Sequence, residues 1–244
     1  MNVLILGSGS SMGPHVVRAL EEEHTLRLAD VEVPSGGKHE TCSVDLTNPD
    51  QVMAAAEGMD AIVNLTVVRN DRQLAFDVCA RGCYHMMCAA VRHGIRRVIN
   101  TGPHNMVQGP DYTRFDYDID VDVPPHPGDM LYALSKAIGG ETCRVFAENH
   151  DIHVIQFLFF GLANGDETSL DETVNIFPFL VSWSDAGQAF RCALRTDLSS
   201  LPSRFEVFSI SAPFPHGQYR HGKAARLLGW EPVELFERCW RRRC

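Results

Sequence analysis

The chain alternates short apolar runs with segments whose apolar residues recur every three or four positions. Residues 2–6 form an apolar run that ends at Gly7, and residues 14–23 carry a helical pattern. A second run at 25–29 ends at Asp30, a loop containing Pro and Gly fills 31–39, and 41–44 reads as a short strand. Asn48 and Pro49 open a helix, because proline suits a first helical turn, where an amide N–H has no partner. Residues 60–65 read as a buried strand, 72–93 as one long helix closed by Gly94, and 97–101 as a further strand. A proline-rich irregular stretch spans 102–130, and a loop of that length in a compact domain is usually functional. Beyond it come helix at 131–149, strand at 153–159, helix at 182–194, strand at 205–210 and helix at 222–228.

Strand and helix alternate to about residue 160. That order predicts an α/β fold, a doubly wound parallel sheet with right-handed crossovers and helices on both faces. The remaining residues, 161–244, read as a small annex of the same structural domain that covers a substrate. With 244 residues, 45% of them hydrophobic, the chain is long enough for one full core.

Charge and cysteine usage narrow the partners. The 22 Lys and Arg against 31 Asp and Glu give a net charge of −9, which argues against nucleic acid as a partner. The basic run at 241–243 reads as a solvated tail. The longest apolar stretch, 154–163, is interrupted by Gln156 and is about half the ~20 residues a membrane span needs. The opening MNVLILGSGSSMG has no basic segment before its apolar run and does not read as a signal peptide. Eight cysteines then read as reduced thiols, and a cytoplasmic location is expected. Cys79, Cys83 and Cys88 lack metal-site spacing, so no metal is expected.

Two constellations carry chemistry. The first strand runs into Gly7-Ser8-Gly9-Ser10-Ser11-Met12-Gly13 and then directly into a helix. Glycines let the backbone turn tightly and approach a pyrophosphate, while the helix N-terminus faces the anion. Asp30, closing the second strand, can accept bonds from ribose hydroxyls and would repel a 2′-phosphate, so NAD is expected over NADP. The fold is therefore expected to be of the Rossmann type, with residues 1–160 as its NAD(P)-binding region. The second constellation is Tyr132-Ala-Leu-Ser-Lys136 at the start of a helix. Positions i and i+4 share a helix face, and a cation beside the phenol favours the phenolate, which equips Tyr132 as a general acid/base. Lys136 can also bond a nicotinamide ribose.

With these residues the chain resembles the extended short-chain dehydrogenase/reductases, the NAD-dependent epimerase/dehydratase family. The resemblance includes Gly7, Ser10 and Gly13, Asp30, Asp45-Leu46, the strand from Asp60 to Thr66, Gly82, Ala89-Ala90, Tyr132 with Lys136, and Leu228-Gly229-Trp230-Glu231-Pro232. It implies that Tyr132 exchanges a proton with the substrate while hydride passes to or from the nicotinamide. It further implies that Asp45 and Leu46 flank the adenine, and that Ser11, Met12, Leu65, Thr66 and Val67 line the cofactor. Within the family, the layout of residues 101–136 resembles uronate dehydrogenases. The family also implies a homodimer built on helices 72–93 and 131–149, although their apolar faces, Met86 and Met87 included, equally suit intramolecular packing.

The departures bear on the substrate. Ser10 stands where the family has a middle Gly, and Cys79 where it has Asn. Pro103 occupies the position of the Ser that polarises the substrate oxygen, leaving Thr101 or His104 to supply the donor. His104, Asn105 and Phe160 are the expected substrate contacts. Uronate dehydrogenases hold the substrate carboxylate with an Arg beyond the sixth strand, where this chain has Phe159-Phe160-Gly161. An unpaired carboxylate is costly to bury, so a neutral, smaller or more apolar substrate is expected. The leading expectation is an NAD(P)-dependent oxidoreductase that interconverts an alcohol with a ketone or lactone on a small sugar-like or hydroxylated substrate. The alternatives are an epimerase or dehydratase that keeps NAD bound, and a non-catalytic dinucleotide-binding redox sensor, the latter raised by Pro103 and Cys79.

Overall fold

The computed structural model describes residues 1–33, 37–108, 119–164, 180–215, 217 and 219–237. Its centre is a seven-stranded sheet, all of whose pairings are parallel. The strands are β1 (Asn2–Leu6), β2 (Thr25–Asp30), β3 (Glu40–Ser43), β4 (Ala61–Asn64), β5 (Arg97–Pro103), β6 (His153–Phe159) and β9 (Phe205–Ser209), in the order β3-β2-β1-β4-β5-β6-β9. The order reverses beside β1, which places the crevice of a doubly wound sheet at the C-terminal ends of β1 and β4. A separate parallel pair, β7 (Gly161–Ala163) and β8 (Leu180–Ser182), follows β6.

Helices cover both faces. Those in chain order are α1 (Gly13–Leu20), α2 (Pro49–Ala55), α3 (Arg72–Phe76), α4 (Gly82–His93), α5 (Asn105–Gln108), α6 (Leu131–Asn149), α7 (Trp183–Arg195) and α8 (Gly222–Leu228). One core joins β1, β4 and β6 residues such as Val3, Val63 and Phe157 to α1 and α7. The other joins Leu4, Ile62 and Val98 to α2, α4 and α6. The apolar runs of β1 and β4 are thus buried on both faces, as parallel strands require.

Much of the C-terminal stretch is built into this framework. Strand β9 adds the seventh strand beside β6, and α7 packs on α1, with the His15 and Trp183 rings stacked at 5.2 Å. Trp230, from the Leu-Gly-Trp-Glu-Pro run, is buried and donates from Nε1 to the Asp185 carbonyl at 2.9 Å. The Asp185 carboxylate in turn accepts the amides of Val233 and Glu234. Residues 230–234 are therefore docked on α7.

Several boundaries differ from the sequence expectation for physical reasons. Helix α1 ends at Leu20 rather than 23, since three successive glutamates suit the negative end of a helix dipole poorly. The expected long helix contains a π-helical turn, Asp77–Arg81, between α3 and α4. There α6 comes closest, and a Cβ at Gly139 would lie 2.0 Å from the Cys79 carbonyl oxygen. Strand β5 runs on to Pro103 because β4 stops at Asn64, opposite Asn100, so Pro103 has only β6 beside it. Met86 and Met87 are fully buried within the chain's own core and present no surface to a second copy.

The sequence reading did not anticipate a ladder of three amides. Asn64, Asn100 and Gln156 are register partners on β4, β5 and β6 and are at most 1% exposed. Asn64 Nδ2 donates to Asn100 Oδ1, and Asn100 Nδ2 to Gln156 Oε1, each at 2.8 Å. Asn100→Ala would leave a donor and an acceptor unpaired in the core, at ~1–3 kcal/mol each. Urea unfolding is expected to show a loss of roughly 2–5 kcal/mol.

Histidines held below their ordinary pKa by burial, His15, His24 and His153 among them, couple the fold to acid. Both ring nitrogens of His24, and Nδ1 of His153, are buried and, among the described residues, have no partner. Burial, reinforced by neighbouring positive charge, holds both imidazoles below their ordinary value of 6.5. The unfolded chain therefore takes up protons that the folded one refuses, so the stability these histidines contribute is fully present above pH 6.5 and is lost as the pH drops below it. The urea midpoint is expected to fall on acidification from neutrality, and His24→Gln with His153→Gln to flatten that fall.

Candidate active site

The loop after β1 is shaped by contacts no side chain would allow. Gly7 has φ +77°, and a Cβ there would lie 2.6 Å from the Thr66 amide nitrogen. A Cβ on Gly13 would meet the Ser8 carbonyl oxygen at 1.9 Å. Met12, at the N-cap of α1, supplies no side-chain acceptor to the first helical amides. The hydroxyls of Ser8 and Ser10 are buried and, among the described residues, have no hydrogen-bond partner. Asp30 sits at the end of β2 against the loop, its Oδ2 accepting the Gly9 amide at 2.9 Å and its Oδ1 the Val31 amide at 2.7 Å. A helix N-terminus without a side-chain cap, buried hydroxyls and a carboxylate beside them fit a dinucleotide whose pyrophosphate meets the helix and whose ribose meets Asp30.

Asp45 and Leu46 play framework parts. Asp45 Oδ1 closes a turn by accepting the Thr47 amide at 2.8 Å, and Leu46 is buried where Gly82 leaves it room.

A cavity of about 140 Å³ opens between this loop and the ends of β4, β5 and β6. Ser10, Ser11, Met12, Leu65, Thr66, Val67, Thr101, Tyr132 and Phe160, all expected at the site, line it. So do Pro103 and Phe159, which the sequence placed there as departures from the family pattern, and Arg69, Gly102 and Leu162, which were not expected. Arg69 carries the missed chemistry, with its guanidinium carbon 5.2 Å from the centre of the Tyr132 ring. Its one sequence signal is its place three residues beyond Thr66, on the edge of the sheet where ligands bind. A larger groove, about 1030 Å³, lies between α6, residues 121–127 and strands β6 and β9. Its lining is mostly apolar and includes neither the glycine loop nor Tyr132.

The expected donors next to the substrate are differently employed. Thr101 lines the cavity, but its Oγ1 donates to the Asn64 carbonyl at 2.8 Å, so its proton is committed to the sheet. His104 is fully buried, its ring edge-on to Tyr219 with centroids 4.8 Å apart. Its amide continues the pairing with β6 by donating to the Phe159 carbonyl at 2.8 Å, and its side chain is held in the interior. Asn105 turns its Nδ2 to the Met130 sulfur at 3.7 Å. Neither His104 nor Asn105 borders the cavity.

Lys136 is 1% exposed and donates to the Thr101 carbonyl at 3.0 Å, rather than pairing with the Tyr132 phenol as the spacing suggested. An ammonium has three donors, and among the described residues this is the one acceptor within hydrogen-bond distance of it. The buried thiols of Cys83 and Cys143 lie close enough for the Lys136 charge to act on both. Cys143 is held as a thiol, its pKa raised first by its hydrogen bond with Cys83 and then by burial.

A doubly wound sheet, a glycine loop that meets a helix N-terminus, and a tyrosine at the mouth of the adjoining cavity define a dinucleotide-binding α/β protein. Residues 3–168 match the model of the NAD-dependent epimerase/dehydratase family, and the chain belongs to that family. The chain is 30% identical over 161 residues to a uronate dehydrogenase of Pseudomonas syringae pv. tomato, which covers 63% of this chain and 56% of that protein. It thus spans little more than half of that relative's length. To an NAD-dependent glucose-6-phosphate dehydrogenase of Haloferax volcanii it is 23% identical over 259 residues, covering 95% of this chain and 93% of the relative. The fold matches that of a mutant uronate dehydrogenase from Agrobacterium tumefaciens in complex with NAD. The TM-score is 0.77 at 21% identity, over 95% of this chain and 84% of that one.

Proposed function

We propose that the chain is an NAD-dependent dehydrogenase that oxidises a hydroxyl of a small sugar-like substrate, or reduces the corresponding carbonyl, with Tyr132 as general acid/base. The observation that carries this reading is the meeting of the glycine loop and Tyr132 around one cavity. Gly7, Ser10, Ser11, Met12 and Gly13 would hold the pyrophosphate, Asp30 the adenosine ribose, and Leu65, Thr66 and Val67 the wall beside the nicotinamide. NAD, when bound, supplies the hydride acceptor. Tyr132 takes the proton from the substrate hydroxyl, and in the reverse direction returns it to the carbonyl oxygen. Lys136, fixed on the Thr101 carbonyl, keeps an ammonium beneath the cavity with donors to spare for a ribose hydroxyl. Phe159, Phe160 and Leu162 bring apolar surface that limits water around the reacting carbon.

In this reading residues 1–160 serve the cofactor, and residues beyond them close the substrate side. Tyr84, Ile138 and Val145 are 52%, 42% and 44% exposed on α4 and α6, which supports those helices as the face of a homodimer.

Net NADH formation from a panel of hydroxylated sugars tests the reading and separates it from an epimerase, which returns the hydride to its substrate. Tyr132→Phe is expected to lower kcat by about 10²–10⁴-fold while NADH binding, followed by its fluorescence, is retained. Full activity in that variant would exclude Tyr132 as the acid/base. Asp30→Asn removes the charge that opposes a 2′-phosphate, and its ratio of NAD to NADP use is expected to fall by about tenfold or more, measured as kcat/KM with each cofactor.

A further inference from the structure

The wall formed by Phe159, Phe160 and Leu162 has no group that pairs a charge, and Pro103 has no donor at all. The hydroxyls that reach the cavity from β5 and from the end of β4 are also committed. Thr66 Oγ1 donates to Asn64 Oδ1 at 2.7 Å, and Thr101 Oγ1 to the Asn64 carbonyl. One side chain on the substrate side differs. Arg69 leaves the end of β4, borders the same cavity, and lays its guanidinium over the Tyr132 ring. It is exposed, and among the described residues no carboxylate lies within ion-pair distance of it. The nearest acid in sequence, Asp71, is occupied in capping α3, where its Oδ1 accepts the Leu74 amide at 2.7 Å.

Stacking on an aromatic face occupies the flat of a guanidinium and leaves its in-plane N–H fork available. That fork matches a carboxylate or a phosphate, which it binds through two parallel hydrogen bonds. The chain as a whole carries −9 and repels anions at long range, so an anionic substrate needs a cation inside the cavity itself. Arg69 places one directly beside the phenol that exchanges the proton.

Building on the dehydrogenase reading, we propose that Arg69 is the residue that selects the substrate, pairing with a single carboxylate or phosphate group of a small polyol whose reacting hydroxyl faces Tyr132. The cation thus enters from the loop after β4, and the apolar end of β6 is no obstacle to an acidic substrate.

The experiment measures kcat/KM for D-glucuronate, D-glucose 6-phosphate and D-glucose with wild type, Arg69→Gln and Arg69→Lys. The same three sugars are titrated calorimetrically into each protein in the presence of NADH. Wild type is expected to prefer one or both charged sugars to glucose. Arg69→Gln should reduce that charged-to-neutral ratio by about 30-fold, and Arg69→Lys should restore part of it. A general loss of structure would lower all three sugars together and leave the ratio in place. Loss of preference for glucuronate alone identifies a carboxylate as the partner, and loss for the phosphate alone a phosphate. A wild type without preference, or a ratio unchanged in Arg69→Gln, overturns the inference. Charged-sugar binding that depends on Arg69 without any NADH formation would overturn the dehydrogenase reading and leave the anion site standing.

Discussion

Three primary amides buried side by side in a sheet have few ways to satisfy themselves, and this sheet uses one of them. Asn64, Asn100 and Gln156 stand at matched register positions on β4, β5 and β6, each handing a donor to the next. Side chains on a strand alternate faces, so a slip of one residue would drive an amide into the opposite, wholly apolar core. The unpaired groups would cost several kcal/mol. The ladder thereby fixes how far each of the three strands reaches toward the crevice. Thr66 and Thr101 hang from Asn64, and Lys136 hangs from Thr101, so the floor of the cavity inherits its geometry from this one network.

Following each polar group to its partner separates framework from site. The Thr66 and Thr101 hydroxyls, Asp185 and Asp45 all have internal partners and hold the chain in place. Among the described residues, the Ser8 and Ser10 hydroxyls, two of the Lys136 donors and the fork of Arg69 do not. These unspent groups gather around the glycine loop and its adjoining cavity, and those with charge are cationic. An acidic chain that keeps these donors beside its glycine loop is arranged to receive an anion there, whether a pyrophosphate on the loop or an acid group beside Tyr132.

How much of this was legible beforehand depended on the range of the interaction. The glycine loop, Asp30, the Asn48 cap and the helix starting just before Tyr132 are local matters of backbone geometry, and the structure has them where the sequence put them. The π-helical turn at Asp77–Arg81 has no local signal, because it answers the close approach of Gly139 from a helix some sixty residues away. His104 looked available in a Pro/Gly context, yet continued pairing with β6 draws it into the interior. Thr101 was judged by its position, and its hydroxyl was already taken by a neighbouring strand.

The sequence by itself determined the parallel α/β order, the dinucleotide loop and the Tyr132–Lys136 spacing, since each rests on residues within a few positions of one another. Only the tertiary structure decided which side chains keep a free donor and which cation reaches the cavity. Arg69 and Tyr132 are sixty-three positions apart and meet because β4 ends and α6 begins on the same edge of the sheet. Hydrogen-bond partners and facing charges are properties of that packing, and no pattern along the chain encodes them directly.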